Sequence, residues 1–243
     1  MRTLNLALAG CLAVACCVSA ASQASAGTYL FGFSSGNSNQ LLVDSTTGSF
    51  AFSTADNQLT GGANNQGWWS GTVTNVTGND NYIVGVPDGN HQLNNYFTFN
   101  LAGLTGNVLG ARLVVGQGTG SGAAGAGPAI DVCYSLYDVS TRPTTLSDES
   151  ASWNGTIYND LGSGSNFGSF SLNTGSSGGT DTLALNSAGL AAINGAEGGF
   201  FSIGGSLNLA SVPEPASLAI WGLSVLGLAC HRRSAVRRRS GPC

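Results

Sequence analysis

Between residues 27 and 211 the chain offers few groups able to do chemistry, and their spacing decides which reactions are open to it. His91 is the one histidine of that stretch, in the turn-like run Pro87-Asp88-Gly89-Asn90-His91 with no G-x-S-x-G elbow nearby, so a Ser-His-Asp hydrolase has no anchor there. Asp131 and Asp138 lie seven apart in one strand-like run. An odd offset turns them to opposite faces and separates a would-be glycosidase pair. Asp148 and Glu149 are adjacent in a Ser/Thr/Pro-rich stretch and read as solvated charges. Neither H-E-x-x-H nor C-x-x-C occurs, so no catalytic zinc site is indicated. The inventory points away from an enzyme.

Two kinds of binding remain. Gly78-Asn79-Asp80-Asn81 and Pro87-Asp88-Gly89-Asn90 flank one strand and bring carboxylate, amide and backbone oxygens, the hard ligands of calcium. Asp80 and Asp88 are therefore candidate ligands of a structural calcium, although Asn and Asp also populate turns for backbone reasons alone. Trp68 and Trp69 are the candidates for a sugar-stacking surface, with Trp153 as a third member. Adjacent strand residues face opposite ways, so one indole enters the core and the other is free to present its flat apolar face to a sugar ring. Packing of both between sheets is the competing expectation. Cys133, inside Ile130-Asp131-Val132-Cys133-Tyr134, is expected to be a small buried hydrophobe rather than a nucleophile.

The elements that must position these residues are strands. Short runs rich in aromatic and β-branched residues alternate with Gly, Ser, Thr and Asn every eight to twelve residues, the signature of a sheet protein with many turns. Expected strands are Thr28–Phe33, Ser49–Ser53, Gly67–Val76, Tyr82–Val86, Asn95–Leu101, Ala111–Gly116, Ala129–Val139, Gly155–Tyr158, Phe167–Leu172, Thr180–Leu185 and Phe200–Leu209. In Tyr96-Phe97-Thr98-Phe99-Asn100-Leu101 the apolar Phe97, Phe99 and Leu101 share one face. Gly116–Gly127 is nearly all Gly, Ala and Ser, a flexible connection. One short helix is expected over Ser187–Asn194, capped by Asn186 or Ser187 and stopped by Gly195. The run Tyr96–Leu104, continuing to Ala111-Arg112-Leu113-Val114-Val115, resembles the hallmark strand pair of extracellular β-sandwich modules of the DNRLRE kind. That resemblance implies a jelly roll; Asn100 stands where the family usually has Asp.

Charge narrows the partners. The chain has no lysine, and between residues 27 and 211 two arginines (Arg112 and Arg142) face eleven carboxylates, a net charge of −9. Nucleic-acid binding needs a basic footprint, and there is none. An acidic surface suits solubility, divalent cations or cationic polymer.

The two ends differ from the body. Met1-Arg2, an apolar run from Leu4 to Val18, and Ala24-Ser25-Ala26 follow the order of a secretory signal peptide, with cleavage expected after Ala26 to leave Gly27 first. Leu8-Ala9-Gly10-Cys11 also fits a lipoprotein cleavage box, but it sits too close to Met1 to leave a full apolar core before it. Near the other end, Pro213-Glu214-Pro215 is held extended by its prolines. An uncharged apolar stretch from Ala216 to Cys230 follows, then His231, Arg232, Arg233, Arg237, Arg238 and Arg239. The apolar stretch is a short or marginal membrane helix, and the arginines place its far end on the cytoplasmic side.

These three parts in order resemble the PEP-CTERM sorting signal of Gram-negative bacteria. The resemblance implies handling by an exosortase, a membrane cysteine transpeptidase that cuts near the motif and passes the protein towards the cell surface or exopolysaccharide matrix. The expected organisation is a signal peptide (1–26), a secreted antiparallel β-sandwich (27–211) and a sorting signal (212–239). Signal peptidase, the Sec machinery, the inner membrane, the exosortase and exopolysaccharide are its expected partners. Function is expected to be non-enzymatic, with a carbohydrate-binding module and a secreted glycan hydrolase as the alternatives.

Overall fold

Alternation of apolar and polar side chains on short strands dictates the architecture seen in a computed structural model. It describes residues 28–33, 39–56, 59, 65–71, 81–87, 91–118, 131–148, 155–173 and 178–208, all within one compact unit, Ser25–Leu209. Eleven strands run in chain order: β1 (Thr28–Phe33), β2 (Gln40–Ser45), β3 (Gly48–Ser53), β4 (Gln66–Ser70), β5 (Asn81–Val86), β6 (Leu93–Asn100), β7 (Val108–Gly116), β8 (Asp131–Asp138), β9 (Asn166–Asn173), β10 (Thr180–Ala184) and β11 (Phe200–Asn208). Three short helices accompany them: α1 (Pro143–Leu146), α2 (Gly155–Leu161) and α3 (Ser187–Gly195). All strand pairs are antiparallel. One sheet has the order β1-β5-β6-β11-β8-β9 with β4 also paired to β6; the other has the order β10-β7-β2-β3.

The two sheets share one apolar core, which makes the body β-sandwich-like. Phe97, Phe99, Leu136 and Ile203 of the larger sheet and Leu41 and Leu113 of the smaller are wholly buried in the same cluster. Burial of side chains this size stabilises by roughly 1.5–3 kcal/mol each. Tyr82 meets Phe97 edge-on at 5.0 Å between ring centres, a favoured aromatic geometry. Polar bonds gather at one end, two of them joining the sheets through Gln66 and the third holding Asn39 to β7 within the smaller sheet. Asn39 Nδ2 donates to Gln66 Oε1 (2.7 Å), Thr54 Oγ1 donates to the same oxygen (3.0 Å), and Asn39 Oδ1 accepts from the Gly116 amide (2.8 Å). All three side chains are buried, so each bond also satisfies a group that would be costly to leave unpaired.

The outer face of the larger sheet carries a second apolar cluster. Trp69 and Tyr96 project from it, and Leu146 of α1 with Ile157 and Leu161 of α2 cover them. Gly204 of β11 makes this possible: a Cβ there would come within 2.5 Å of the Leu161 carbonyl oxygen, so α2 rests directly on strand backbone.

Several expectations are corrected. Gly155–Tyr158 is helical, not a strand, because Ile157 and Leu161 are four apart and both bury against the sheet. The helices among the described residues number three rather than one. β2 was not among the expected strands; it forms a hairpin with β3 through Thr46-Thr47, a turn lacking the Asn-Gly signal. Cys133 is exposed: Val132, Tyr134 and Leu136 take the inward positions of β8, which turns Cys133 outward. β6 alternates as expected, yet Tyr96 and Thr98 on its other face are buried too.

The helix α3 follows its sequence signals. Asn186 Oδ1 accepts from the amides of Ala188 (2.9 Å) and Gly189 (3.2 Å), an N-cap that satisfies two otherwise unpaired donors. Of the Gly116–Gly127 stretch only Gly116–Gly118 are among the described residues, and no described helix is long and apolar enough to cross a membrane.

Candidate functional site

The tryptophan pair lies on β4, and register decides where each ring goes. β4 pairs with β6 from Gln66↔Phe97 to Ser70↔Leu93, which sets Trp68 beside Asn95 and Trp69 beside Asn94. Trp69 is fully buried in the outer cluster, and its indole N–H donates to the Leu146 carbonyl at 3.2 Å. Its ring is therefore structural. Trp68 is half-buried on the opposite face, the one that carries Phe97. Only Trp68 of this pair retains accessible ring surface for a ligand.

The cross-strand neighbour of Trp68 is polar. Asn95 is wholly buried; its Oδ1 accepts from the Tyr134 hydroxyl at 3.0 Å, while its Nδ2 has no hydrogen-bond partner among the described residues. Burial pushes the Tyr134 hydroxyl far above the ordinary phenol range, with the bond to Asn95 acting in the opposite sense. Tyr134 therefore stays a neutral donor. No local pattern links this pair, since Asn95 is separated from Tyr134 by 39 positions.

The carboxylates are dispersed. Asp131 is exposed and accepts from Asn173 Nδ2 at 2.8 Å. Asp138, at the other end of β8, is half-buried beside Ile203 and accepts from the Ser165 amide at 2.5 Å. The two thus lie on opposite faces, as their offset requires. Asp160 of α2 accepts from the amide and hydroxyl of Thr141 (2.8 and 2.6 Å) and of Ser140 (3.1 and 2.7 Å). Partial burial raises its pKa, but the bonds from Thr141 and Ser140 outweigh that and hold the carboxyl below its ordinary value of 3.8. This is a clasp between α2 and the segment leaving β8. Asp44 pairs with Arg112 (3.1 Å) on the outer side of the smaller sheet, where both are exposed to a large extent. Among the described residues no three His, Cys, Asp or Glu side chains gather as a metal site.

A groove of about 260 Å³ opens where β8 leaves the larger sheet. Asp138, Phe200, Phe201 and the last turn of α3 contribute to its walls. Phe200 and Leu109 are the exposed large apolar side chains among the described residues. The groove joins residues from β8, β11 and α3 that no local pattern in the sequence links.

Trp153, Asp80 and Asp88 lie outside the described residues, as do Ala24, Ala26 and Gly27 of the expected cleavage site. So do Pro213, Glu214 and Pro215, and the arginines 232, 233 and 237–239.

Comparison with known families places a PEP-CTERM protein-sorting motif at residues 211–233. Such a motif implies export, sorting towards the cell surface and processing by an exosortase. No curated protein and no solved structure matches the chain.

Proposed function

We propose that the protein is a non-enzymatic component of the cell surface or exopolysaccharide matrix of a Gram-negative bacterium, carried there by its C-terminal signal. The observation that carries this reading is the sorting motif at residues 211–233. It joins an acidic body whose net charge of −9 suits an exported, soluble domain. In this reading the Sec machinery exports the chain and signal peptidase removes residues 1–26. The apolar stretch holds an inner-membrane intermediate, with Arg232, Arg233 and Arg237–Arg239 on the cytoplasmic side. Exosortase then acts near Pro213-Glu214-Pro215, and the jelly-roll-like body (27–211) is the delivered passenger. Fractionation of cells making Pro213→Ala/Glu214→Ala protein tests it. The variant is expected to stay full-length in the membrane fraction; unchanged processing and delivery would refute the role of the triplet.

Carbohydrate binding is the second reading, and the half-buried Trp68 beside Asn95 favours it. Retention of the mature body on the native polysaccharide, lost in Trp68→Ala without loss of folding, is the expected result. Release of sugar from that polysaccharide would instead identify a hydrolase. A melting temperature unchanged by millimolar calcium would remove Asp80 and Asp88 as structural ligands.

A further inference from the structure

The groove at the end of β8 has a chemistry of its own. β11 pairs with β8 only from Ile203↔Asp138 onward, while its pairing with β6 begins at Phe200↔Asn100. Phe200, Phe201 and Ser202 therefore have a strand partner on one side only among the described residues, and the groove occupies that notch. The backbone edge of a strand without a partner is a row of hydrogen-bond donors and acceptors. At about 260 Å³ the space falls just below the roughly 300–1,000 Å³ of drug-sized pockets. It therefore fits one small ring.

Three features give the notch a negative potential. Asp138 lines it; the Oδ1 atom accepts from Ser165, and Oδ2 has no hydrogen bond among the described residues. The C-terminal turn of α3 supplies Ala192, Gly195 and Ala196 to the wall, and no basic side chain stands in that last turn. The negative end of the helix dipole is thus uncompensated by its own helix. Glu197 follows directly, in a chain without lysine. Phe200, 37% exposed and set by strand phase on the face opposite Ile203 and Asp138, borders the notch from its other side with an aromatic surface, which attracts both cations and the C–H face of a sugar.

We propose that this notch binds a protonated amino sugar, one 2-amino-2-deoxyhexose unit of a cationic polysaccharide. The ammonium group lies against Asp138 and the end of α3. The ring lies on Phe200, and the hydroxyls meet the open strand edge. A single carboxylate makes the place poor for calcium, which takes six to eight oxygens, and an amine needs fewer partners. The inference rests on the matrix reading above and names the class of polymer that the body would meet there.

The test is titration of the purified mature body with a glucosamine tetramer and its fully N-acetylated counterpart. The free amine is expected to bind at least about tenfold tighter, the scale of a hydrogen bond to a charged group. Asp138→Asn keeps an oxygen for the Ser165 amide and is expected to weaken binding about tenfold. Phe200→Ala is expected to weaken it about threefold. Asp131→Asn removes the same unit of charge from the far end of β8 and is expected to change nothing. Equal weakening by Asp131→Asn and Asp138→Asn would reduce the effect to diffuse charge and overturn the site. Equal binding of the N-acetylated tetramer would overturn recognition of the amine, as would displacement by calcium alone at millimolar concentration. Absence of tetramer binding while the native polysaccharide still retains the body would sink this inference and leave the matrix reading standing. Loss of both would sink both. Unchanged melting of each variant guards against unfolding.

Discussion

The two faces of the larger sheet solve the same problem differently. The inner face packs on a second sheet through interlocking aliphatic and aromatic side chains, with Phe97, Phe99 and Ile203 wholly buried. Among the described residues no second sheet lies on the outer face, and short helices cover part of it, over Trp69 and Tyr96. Beyond that cover lie small polar residues: Ser135 Oγ and Ser169 Oγ are 2.8 Å apart, and Cys133 pairs across to Ser171 and Asn208. The inner face is core over most of its length, interrupted at Trp68 and Asp138, and the outer face is core where a helix lies on it. Burial in this protein depends on what crosses a strand rather than on the strand alone.

Substitutions can break this comparison. Phe97→Ala should be the most damaging, costing about 3–5 kcal/mol through lost burial and the cavity left behind, measured by denaturant unfolding of the body. Trp69→Ala should cost somewhat less, about 3 kcal/mol, and its effect should add to that of Phe97→Ala because the side chains share no partner. Strong coupling between them would mean that the two faces form one core after all. Gly204→Ala is expected to cost about 1–3 kcal/mol by pushing α2 off the strand; a neutral outcome would show that the helix rides loosely.

Smaller effects sharpen the contrast. Asp160→Asn should lower stability at neutral pH by loosening the clasp on Thr141 and Ser140. Because the native carboxyl titrates below its unfolded value of 3.8, this contribution is present above that pH and disappears as pH falls through the depressed native pKa. Melting curves of variant and parent should therefore converge in strong acid. Cys133→Ser should change stability by no more than about 0.5 kcal/mol, and Cys133 should react with a thiol reagent in the folded state. Protection of the thiol would place it back in the core.

Legibility in the sequence followed the same divide. Phe97, Phe99 and Leu101 announced an inner face by strict alternation, and Asn186 announced the start of α3 by its capping chemistry. Gly155-Thr156-Ile157-Tyr158 misled because its β-branched and aromatic residues favour strands locally, and the helix declares itself only when Leu161 is counted with Ile157. β2 escaped because its hairpin turns through Thr46-Thr47. Ser45 Oγ and Thr47 Oγ1 bond there to the distant Thr105 carbonyl (2.8 and 2.6 Å), so tertiary contacts fix a turn that its own residues do not specify. For Cys133 residue type favours burial, whereas strand phase turns it outward. The candidate site was least visible: Trp68 could be named from sequence, but its neighbour Asn95 and the notch beside Asp138 exist only through pairing across the chain.

The position of β11 has a consequence for timing. It lies between β6 and β8 in the larger sheet, yet it is the last strand among the described residues and ends at Asn208, just before the sorting motif begins at residue 211. A chain exported amino-terminus first delivers β6 and β8 long before the strand that joins them. Until then each keeps an open edge, the kind of surface that pairs wrongly with other chains. Closure of the larger sheet therefore waits for a strand that lies next to the sorting motif in the chain.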